Sequence, residues 1–181
     1  MGASGWHARV SYQNDVRAAL QQARWDAYRR GAFYRESPNE QARALGEEEY
    51  VAWGIADIKA SVPPELAGLE WSGDQHRTEW RAAQVVVTGP DSLVDAQPFS
   101  GTHSVIDMTG VADEPGHTMV APAPREYLME LFGTTQPTVA AVEAAIEAHA
   151  MHGFGRWHGM YLFGYADRKP VEIFFVGRSG D

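Results

Sequence analysis

The last 25 residues, WHGMYLFGYADRKPVEIFFVGRSGD, constrain the fold more than any other part of the chain. Two aromatic-rich apolar runs flank the polar tetrapeptide DRKP, a pattern typical of two strands joined by a tight turn. Pro170 can open the second strand, because a proline at the start of a strand needs no N–H donor there. The sequence therefore predicts a C-terminal antiparallel β-hairpin whose EIFF segment lies in the core.

The first half of the chain has helical patterns. Asn14 can cap a first helix in which apolar residues recur at spacings of three and four as far as Gly31, a typical C-cap residue. Residues 39–60 are acidic and helix-prone, but Gly46 and Gly54 interrupt them, which favours two short helices over one long helix.

The second half alternates between short strands and helices. The segments QVVVTG, THSVIDM and HTMVAPA are β-branched and bounded by turn residues, and each is predicted to form a strand. Pro124 is suited to a helix start and Gly133 to its end, and Thr135 or Thr138 can cap a last helix over TVAAVEAAIEAHAM.

Together these patterns predict one α+β domain over residues 1–181, in which several helices pack on an antiparallel sheet. Residues 61–80, rich in proline and glycine, are expected to form a long loop or an insertion.

Composition excludes several classes of function. The chain has 181 residues and no cysteine, so disulfide scaffolds, cysteine nucleophiles and thiolate-held metals are excluded. No apolar run approaches the ~20 residues that cross a bilayer, and the first residues lack the pattern of a signal peptide. The net charge of −9 opposes general binding to nucleic acid, whose phosphates need a basic surface. A cytoplasmic protein without a membrane or nucleic-acid partner is expected.

The stretch AHAMHGFGRWHG contains three of the seven histidines and raises the question of a metal site. His149 and His152 are three residues apart at a helix end, and His158 follows two glycines, so the imidazoles could converge. The pattern differs from HExxH, however, and histidine near a helix C-terminus is independently favoured by the helix dipole. We therefore predict helix-end histidines and no metal, with Trp157 opening the hairpin and its ring buried.

Other catalytic patterns fail on inspection. GFGRWHG follows a helix and precedes a strand, whereas a dinucleotide fingerprint needs the reverse order. Neither GRSGD nor GTHSV matches the G-x-S-x-G nucleophile elbow. Ser104 with His103 or His117 and Asp107 is a conceivable triad, but Asp107 is better explained as an acid held by backbone amides. No catalytic residue and no cofactor is assigned.

The first helix has the composition of a binding surface. Trp25, Tyr28, Arg29 and Arg30, followed by Tyr34, bring arginine beside aromatic rings, and these are the residue types enriched at binding hot spots. The alternative is that the rings complete the core and the arginines pair with the acidic residues 47–49.

Four segments, SYQNDVRAALQQARWDAYRRGAFY, GTHSVIDMTGVADEP, LFGTTQPTVAAVE and PVEIFFVGRSGD, resemble a group of small uncharacterised bacterial proteins of actinobacterial type. That group shares LFGTxxPT and EIFFxGxSxD segments. The resemblance implies a bacterial single-domain protein in which LFGTTQPT and EIFF are scaffold, and it supplies no activity.

The leading hypothesis is a bacterial protein-binding module, such as an immunity or antitoxin-like inhibitor, because an acidic inhibitor would be steered onto a basic partner. The alternative is a small-ligand-binding protein or hydrolase-type enzyme with a pocket near Asp107, His158 and Tyr161. The sequence does not indicate an oligomeric state.

Overall fold

A mixed β-sheet organises the computed structural model, which describes residues 5–180. Its strands lie in the order β1, β5, β4, β3, β2, and their bounds are β1 Gly5–Ser11, β2 Gly110–Val111, β3 Met119–Pro122, β4 His158–Ala166 and β5 Lys169–Arg178. The predicted α+β class and C-terminal hairpin are confirmed, and the EIFF segment lies in β5, between β1 and β4.

The sheet is antiparallel on one side and parallel on the other. β1 and β4 are antiparallel to β5, whereas β2, β3 and β4 run parallel to one another. Parallel neighbours need a crossover connection, and two helices between β3 and β4 supply it. The hairpin turn is two residues long, and its Asp167 and Arg168 both have positive φ, as in a type I′ turn.

Helices cover both faces of the sheet and extend beyond it. Their bounds are α1 Val16–Arg30, α2 Glu40–Ala44, α3 Glu47–Ser61, α4 Pro64–Ala67, α5 Asp74–Gln84, α6 Pro90–Asp95, α7 Arg125–Phe132 and α8 Val139–Glu147. Alternate residues of β5 point to opposite faces of the sheet, and each set packs into the core on its own face. Ile173 and Phe175 pack with Leu20 of α1, and Phe174 and Val176 pack with Val142 of α8.

Helix α1 begins and ends close to the predicted positions. The side chain of Asp15, one residue beyond the expected Asn14, accepts hydrogen bonds from the amides of Arg17 and Ala18 at 2.9 and 3.1 Å. Gly31 ends the helix in the left-handed region, with φ of 66°. The helix is therefore fixed at both ends.

Arg24 is a buried cation on α1 that the sequence patterns did not reveal. Its Nε donates to the carbonyl of Ile106 at 3.1 Å, and its Nη1 donates to Gln21 at 3.0 Å. Nη2 lies 2.7 Å from a carboxylate oxygen of the exposed Asp91. These contacts connect α1 to a short 3₁₀ turn at Val105–Asp107 and to α6.

Helices α2, α3, α4 and α5 pack mainly on one another. The predicted break at Gly46 is confirmed, because Gly46 is the N-cap of α3. Gly54, in contrast, lies inside α3, where the ring of His76 from α5 packs against it. Residues 61–80, expected to form a loop or insertion, contain α4 and the first part of α5.

Two strand predictions are wrong. Residues 85–87, from QVVVTG, follow α5 without entering the sheet, and Val86 is 79% exposed. The segment THSVIDM forms the 3₁₀ turn at Val105–Asp107, because Ser104 caps it through the amide of Ile106. The segment HTMVAPA does form strand β3.

Candidate functional site

Three predicted binding residues meet on the exposed side of α1. Trp25, Tyr28 and Arg29 are three and four residues apart, so they share one face of the helix. The rings of Trp25 and Tyr28 meet edge to face at 5.8 Å, and the Arg29 guanidinium lies 5.5 Å from the Trp25 ring centre. We call Trp25, Tyr28, Arg29, Arg30 and Tyr34 the aromatic–arginine surface.

This surface is held by the core beneath it. Tyr28 stacks on Phe33 with ring centres 5.8 Å apart, and both pack against the buried cluster of α1 and the sheet. The Trp25 ring lies over Gly89, where a β-carbon would come within 2.8 Å of it. Trp25 nevertheless remains 40% exposed. The indole is therefore positioned by the fold and presented to solvent.

Arg30 and Tyr34 occupy the edges of the surface. The Nε of Arg30 donates to the carbonyl of Asp26 at 3.1 Å, so this side chain folds back along α1. Tyr34 is 45% exposed and stacks on His103 with ring centres 4.7 Å apart. Its amide donates to the carbonyl of Thr102 at 2.7 Å, which fixes it against the loop before the 3₁₀ turn.

The expected ion pairs between these arginines and residues 47–49 do not form. Arg29 lies 3.4 Å from Asp26 on its own helix, while Glu47 and Glu48 pair with Arg81 and Arg77 of α5. Arg29 is therefore paired within α1 and not with α3.

The alternative pocket at Asp107, His158 and Tyr161 is not formed. His158 and Tyr161 are three residues apart on β4, and the regular alternation there directs them to opposite faces of the sheet. The Nδ1 of His158 donates to the carbonyl of Arg156 at 2.6 Å. Tyr161 packs against Phe163 and Phe175, and burial raises its pKa, as does the nearby Asp113. The three side chains do not line one cavity.

Asp107 connects two distant parts of the chain. Its carboxylate is fully buried and accepts from the amide of Thr102 at 2.6 Å and from the hydroxyl of Ser179 at 3.1 Å. Burial raises the pKa of Asp107, against the hydrogen bonds from Thr102, Ser179 and the Ser104 backbone, which favour the charged form. The Ser104 hydroxyl is 2.8 Å from that of Thr102 and caps the 3₁₀ turn. These contacts indicate that Asp107 has a structural role.

The histidine-rich stretch closes α8 and leads into β4. His149 has a φ of 53°, and its Nδ1 lies 3.2 Å from the carbonyl of Ile146 in the last helical turn. Trp157 has a φ of 60°, and its half-buried ring covers Gly101 and Gly180. Among residues 5–180, no three histidine or acidic side chains form a group that could hold a metal ion. That His149 and His152 bind no metal stays a prediction.

The sequence patterns did not indicate a cleft of about 770 Å³ that the structure contains. It lies between α5 and the loop that follows α6, and its walls include Arg35, Arg43, Glu79 and Phe99. Its volume is within the range of small-molecule sites. The lining residues come from five separate stretches of chain, so no short motif could have indicated the cleft.

A hydrogen-bonded network forms the helical wall of this cleft. The Tyr50 hydroxyl and the His76 Nδ1 both lie 3.1 Å from Oε2 of Glu79, and Gln75 donates to Oε1 at 2.9 Å. Asn39 donates to the Tyr50 oxygen at 2.9 Å. These contacts tie α2, α3 and α5 together.

The ionisation of the network follows from these contacts. Burial by itself would raise the pKa of Glu79, but the hydrogen bonds from Gln75, His76 and Tyr50 hold it below its ordinary value. Burial, with the neighbouring Glu79 charge, raises the pKa of Tyr50 to about 12. Glu79 is thus a stable carboxylate and Tyr50 a neutral phenol, so neither is poised for proton transfer near neutral pH. The helical spacing of His76 and Glu79 was the one signal in the sequence for this network. It was missed because this stretch was predicted to form a loop.

Comparison with known proteins adds no family or fold assignment. No protein-family model matches the chain, and no curated protein or solved structure is detectably similar to it. Within residues 5–180, no helix has both the length and the apolar character needed to cross a membrane.

Proposed function

We propose that the protein is a protein-binding module and that its contact region is the aromatic–arginine surface. The observation that carries this proposal is the geometry of Trp25, which is exposed yet held in place by Gly89, Tyr28 and Arg29. A side chain ordered before binding loses little conformational entropy when a partner covers it. Tryptophan, tyrosine and arginine are also the residue types most often found at the centre of interfaces.

The partner that this proposal names is a basic protein. The chain has a net charge of −9, so its long-range field attracts a positively charged molecule. Asp26 and Asp91 lie near Trp25: Asp26 follows it in α1, and Asp91 follows Gly89 by two residues. Both carboxylates are ion-paired with arginines of α1, so the steering of a basic partner rests on the net charge of the chain, which accelerates association at low salt more than it adds affinity. The proposal includes a bacterial, cytoplasmic setting and an immunity or antitoxin-like role.

The experiment compares two tryptophans of nearly equal exposure. Trp25 is 40% exposed on the proposed surface, and Trp53 is 38% exposed on α3. Wild type, Trp25→Ala, Arg29→Ala and Trp53→Ala are each used as bait in the native host, and the captured protein is then purified and titrated against each variant. A hot-spot tryptophan is worth about 2 kcal/mol or more, so Trp25→Ala should weaken binding about 30-fold.

Thermal unfolding of each variant separates lost binding from lost folding. Arg29→Ala is the safer variant, because its side chain is exposed and removing it leaves no cavity. The proposal predicts weaker binding for Trp25→Ala and Arg29→Ala and unchanged binding for Trp53→Ala. It fails if the titrated partner binds all variants equally, or if no captured protein binds the purified chain directly.

A further inference from the structure

Hydrogen bonds within the chain hold both walls of the cleft between α5 and the loop after α6. On the loop side, the buried Gln97 accepts from the amide of Glu36 at 2.6 Å and donates to the carbonyls of Tyr34 and Gly101 at 3.2 and 2.8 Å. On the helical side, Glu79 is held by the network with Tyr50 and His76. Both walls are therefore held by buried or half-buried hydrogen bonds within the chain, and such internal support favours a binding site whose shape is fixed by the fold.

The charged groups of the cleft are unequally satisfied. The Glu79 carboxylate already accepts hydrogen bonds on both oxygens, and Glu36 accepts one from the Ser100 hydroxyl at 2.9 Å. Arg43 donates only its Nε, to the carbonyl of Ala83 at 3.3 Å, which orients the side chain and leaves its terminal nitrogens available. Within the described residues, neither Arg43 nor Arg35 has a carboxylate at ion-pairing distance. The group that the cleft lacks is therefore an anion.

The remaining wall is apolar. Val85 and Val87 are half-buried along one side, and Phe99 is exposed at the edge of the cleft with its ring free to cover a flat surface. Arg35 and Arg43 also border a shallow depression over residues 83–87, so both arginines are close to these valines. Apolar contacts and a planar guanidinium fork thus lie side by side.

We propose that this cleft binds a small organic oxyanion, a molecule with a flat apolar body and one carboxylate or phosphate group. The oxyanion contacts Arg35 and Arg43, whose planar forks match the geometry of both groups. The apolar body lies against Val85, Val87 and Phe99. The cleft adjoins the aromatic–arginine surface at Tyr34, whose carbonyl accepts from Gln97, but none of the proposed ligand contacts belongs to that surface and the proposal does not depend on protein binding.

The test uses probes that separate the two halves of this ligand. Purified protein is titrated by calorimetry with 1-naphthyl phosphate, 1-naphthoate, 1-naphthol and inorganic phosphate. We expect saturable binding of at least one naphthyl oxyanion. 1-Naphthol should bind at least about tenfold more weakly, since it lacks the charged group and hydrogen bonds to charged groups are worth about 1.5–3 kcal/mol. Inorganic phosphate should also bind at least about tenfold more weakly, since it lacks the apolar body that the cleft buries. The tighter of the two oxyanions identifies the preferred head group.

Charge-neutral variants locate the site. Arg35→Gln and Arg43→Gln should each weaken binding of the preferred oxyanion about tenfold, while Arg125→Gln, an exposed arginine at the start of α7, should leave it unchanged. Thermal unfolding checks that each variant is folded. The proposal is overturned if no probe binds up to about 1 mM, if 1-naphthol binds as tightly as its anionic counterparts, or if the three variants bind alike.

Discussion

Removal of the Asp107 carboxylate should destabilise the protein through the two donors that it leaves behind. In Asp107→Ala, the amide of Thr102 and the hydroxyl of Ser179 lose their acceptor, and all three residues are fully or nearly fully buried. A buried donor without a partner costs about 1–3 kcal/mol, so the loss of the acceptor for two donors should cost about 2–6 kcal/mol. The Ser179 hydroxyl can rotate toward another acceptor, which favours the lower half of this range.

Asp107→Asn is the matched control for this prediction. Its amide oxygen can still accept from Thr102, and the Ser179 hydroxyl can reverse to accept from the new NH₂ group. The asparagine variant should therefore lose only about 1 kcal/mol. Urea unfolding followed by tryptophan fluorescence measures both, and the reasoning is wrong if alanine and asparagine cost the same.

The same pair tests the ionisation of Asp107. Because burial raises its pKa above the unfolded value, Asp107 stabilises the fold most below the unfolded pKa, and this contribution is lost as pH rises through the folded pKa. The stability of wild type relative to Asp107→Asn should therefore fall as pH rises across that interval. A difference that stays constant or grows with pH would contradict the raised pKa.

Three further predictions concern the helical wall and the entry to β4. Gly54→Ala should lower the melting temperature, because the new β-carbon would lie 2.5 Å from the His76 ring. This steric effect opposes the helix propensity of alanine, which exceeds that of glycine by about 1 kcal/mol. A rise in melting temperature would refute the contact. Glu79→Gln should make the free energy of unfolding less sensitive to acid. Because the pKa of Glu79 is lowered in the folded state, its charge stabilises the fold above the unfolded pKa, and this contribution is lost as pH falls through the folded pKa. Identical acid unfolding of the variant and wild type would contradict this. Trp157→Ala should lower the free energy of unfolding by about 2 kcal/mol, because the Trp157 ring is half-buried. Trp157→Gly should lower it by about 1 kcal/mol less, because glycine adopts the positive φ of this position without strain. Denaturant unfolding that ranks the two variants in reverse would show that the backbone is unstrained.

Sequence periodicity predicted the elements whose pattern of buried residues is contained within one short segment of the chain. The hairpin and α1 each carry their own pattern and their own turn or capping residue, and both form close to the expected positions. Residues 85–87 show the limit of this reasoning, because valine favours a strand only where a neighbouring strand is present to pair with it. Strand β1 had a readable signal that was missed, the alternation of Trp6, Ala8 and Val10.

The candidate sites divide in the same way. Trp25, Tyr28 and Arg29 share a helix face by spacing alone, so the sequence brings them together without knowledge of the fold. The cleft depends on contacts between segments far apart in the chain. Gly54 is similar: the His76 ring that packs against it belongs to another helix, so the sequence around Gly54 shows only a residue that usually breaks helices. No local pattern contains that information.

Hydroxyl-radical footprinting of the protein with and without its captured partner tests the central claim most directly. Trp25 and Tyr34 are 40% and 45% exposed on the aromatic–arginine surface, and Trp53 and Tyr12, 38% and 37% exposed elsewhere, serve as internal controls in the same sample. We predict that partner binding lowers the oxidation of Trp25 and Tyr34 and leaves that of Trp53 and Tyr12 unchanged. Protection of Trp53 or Tyr12 with Trp25 still fully reactive would contradict the account.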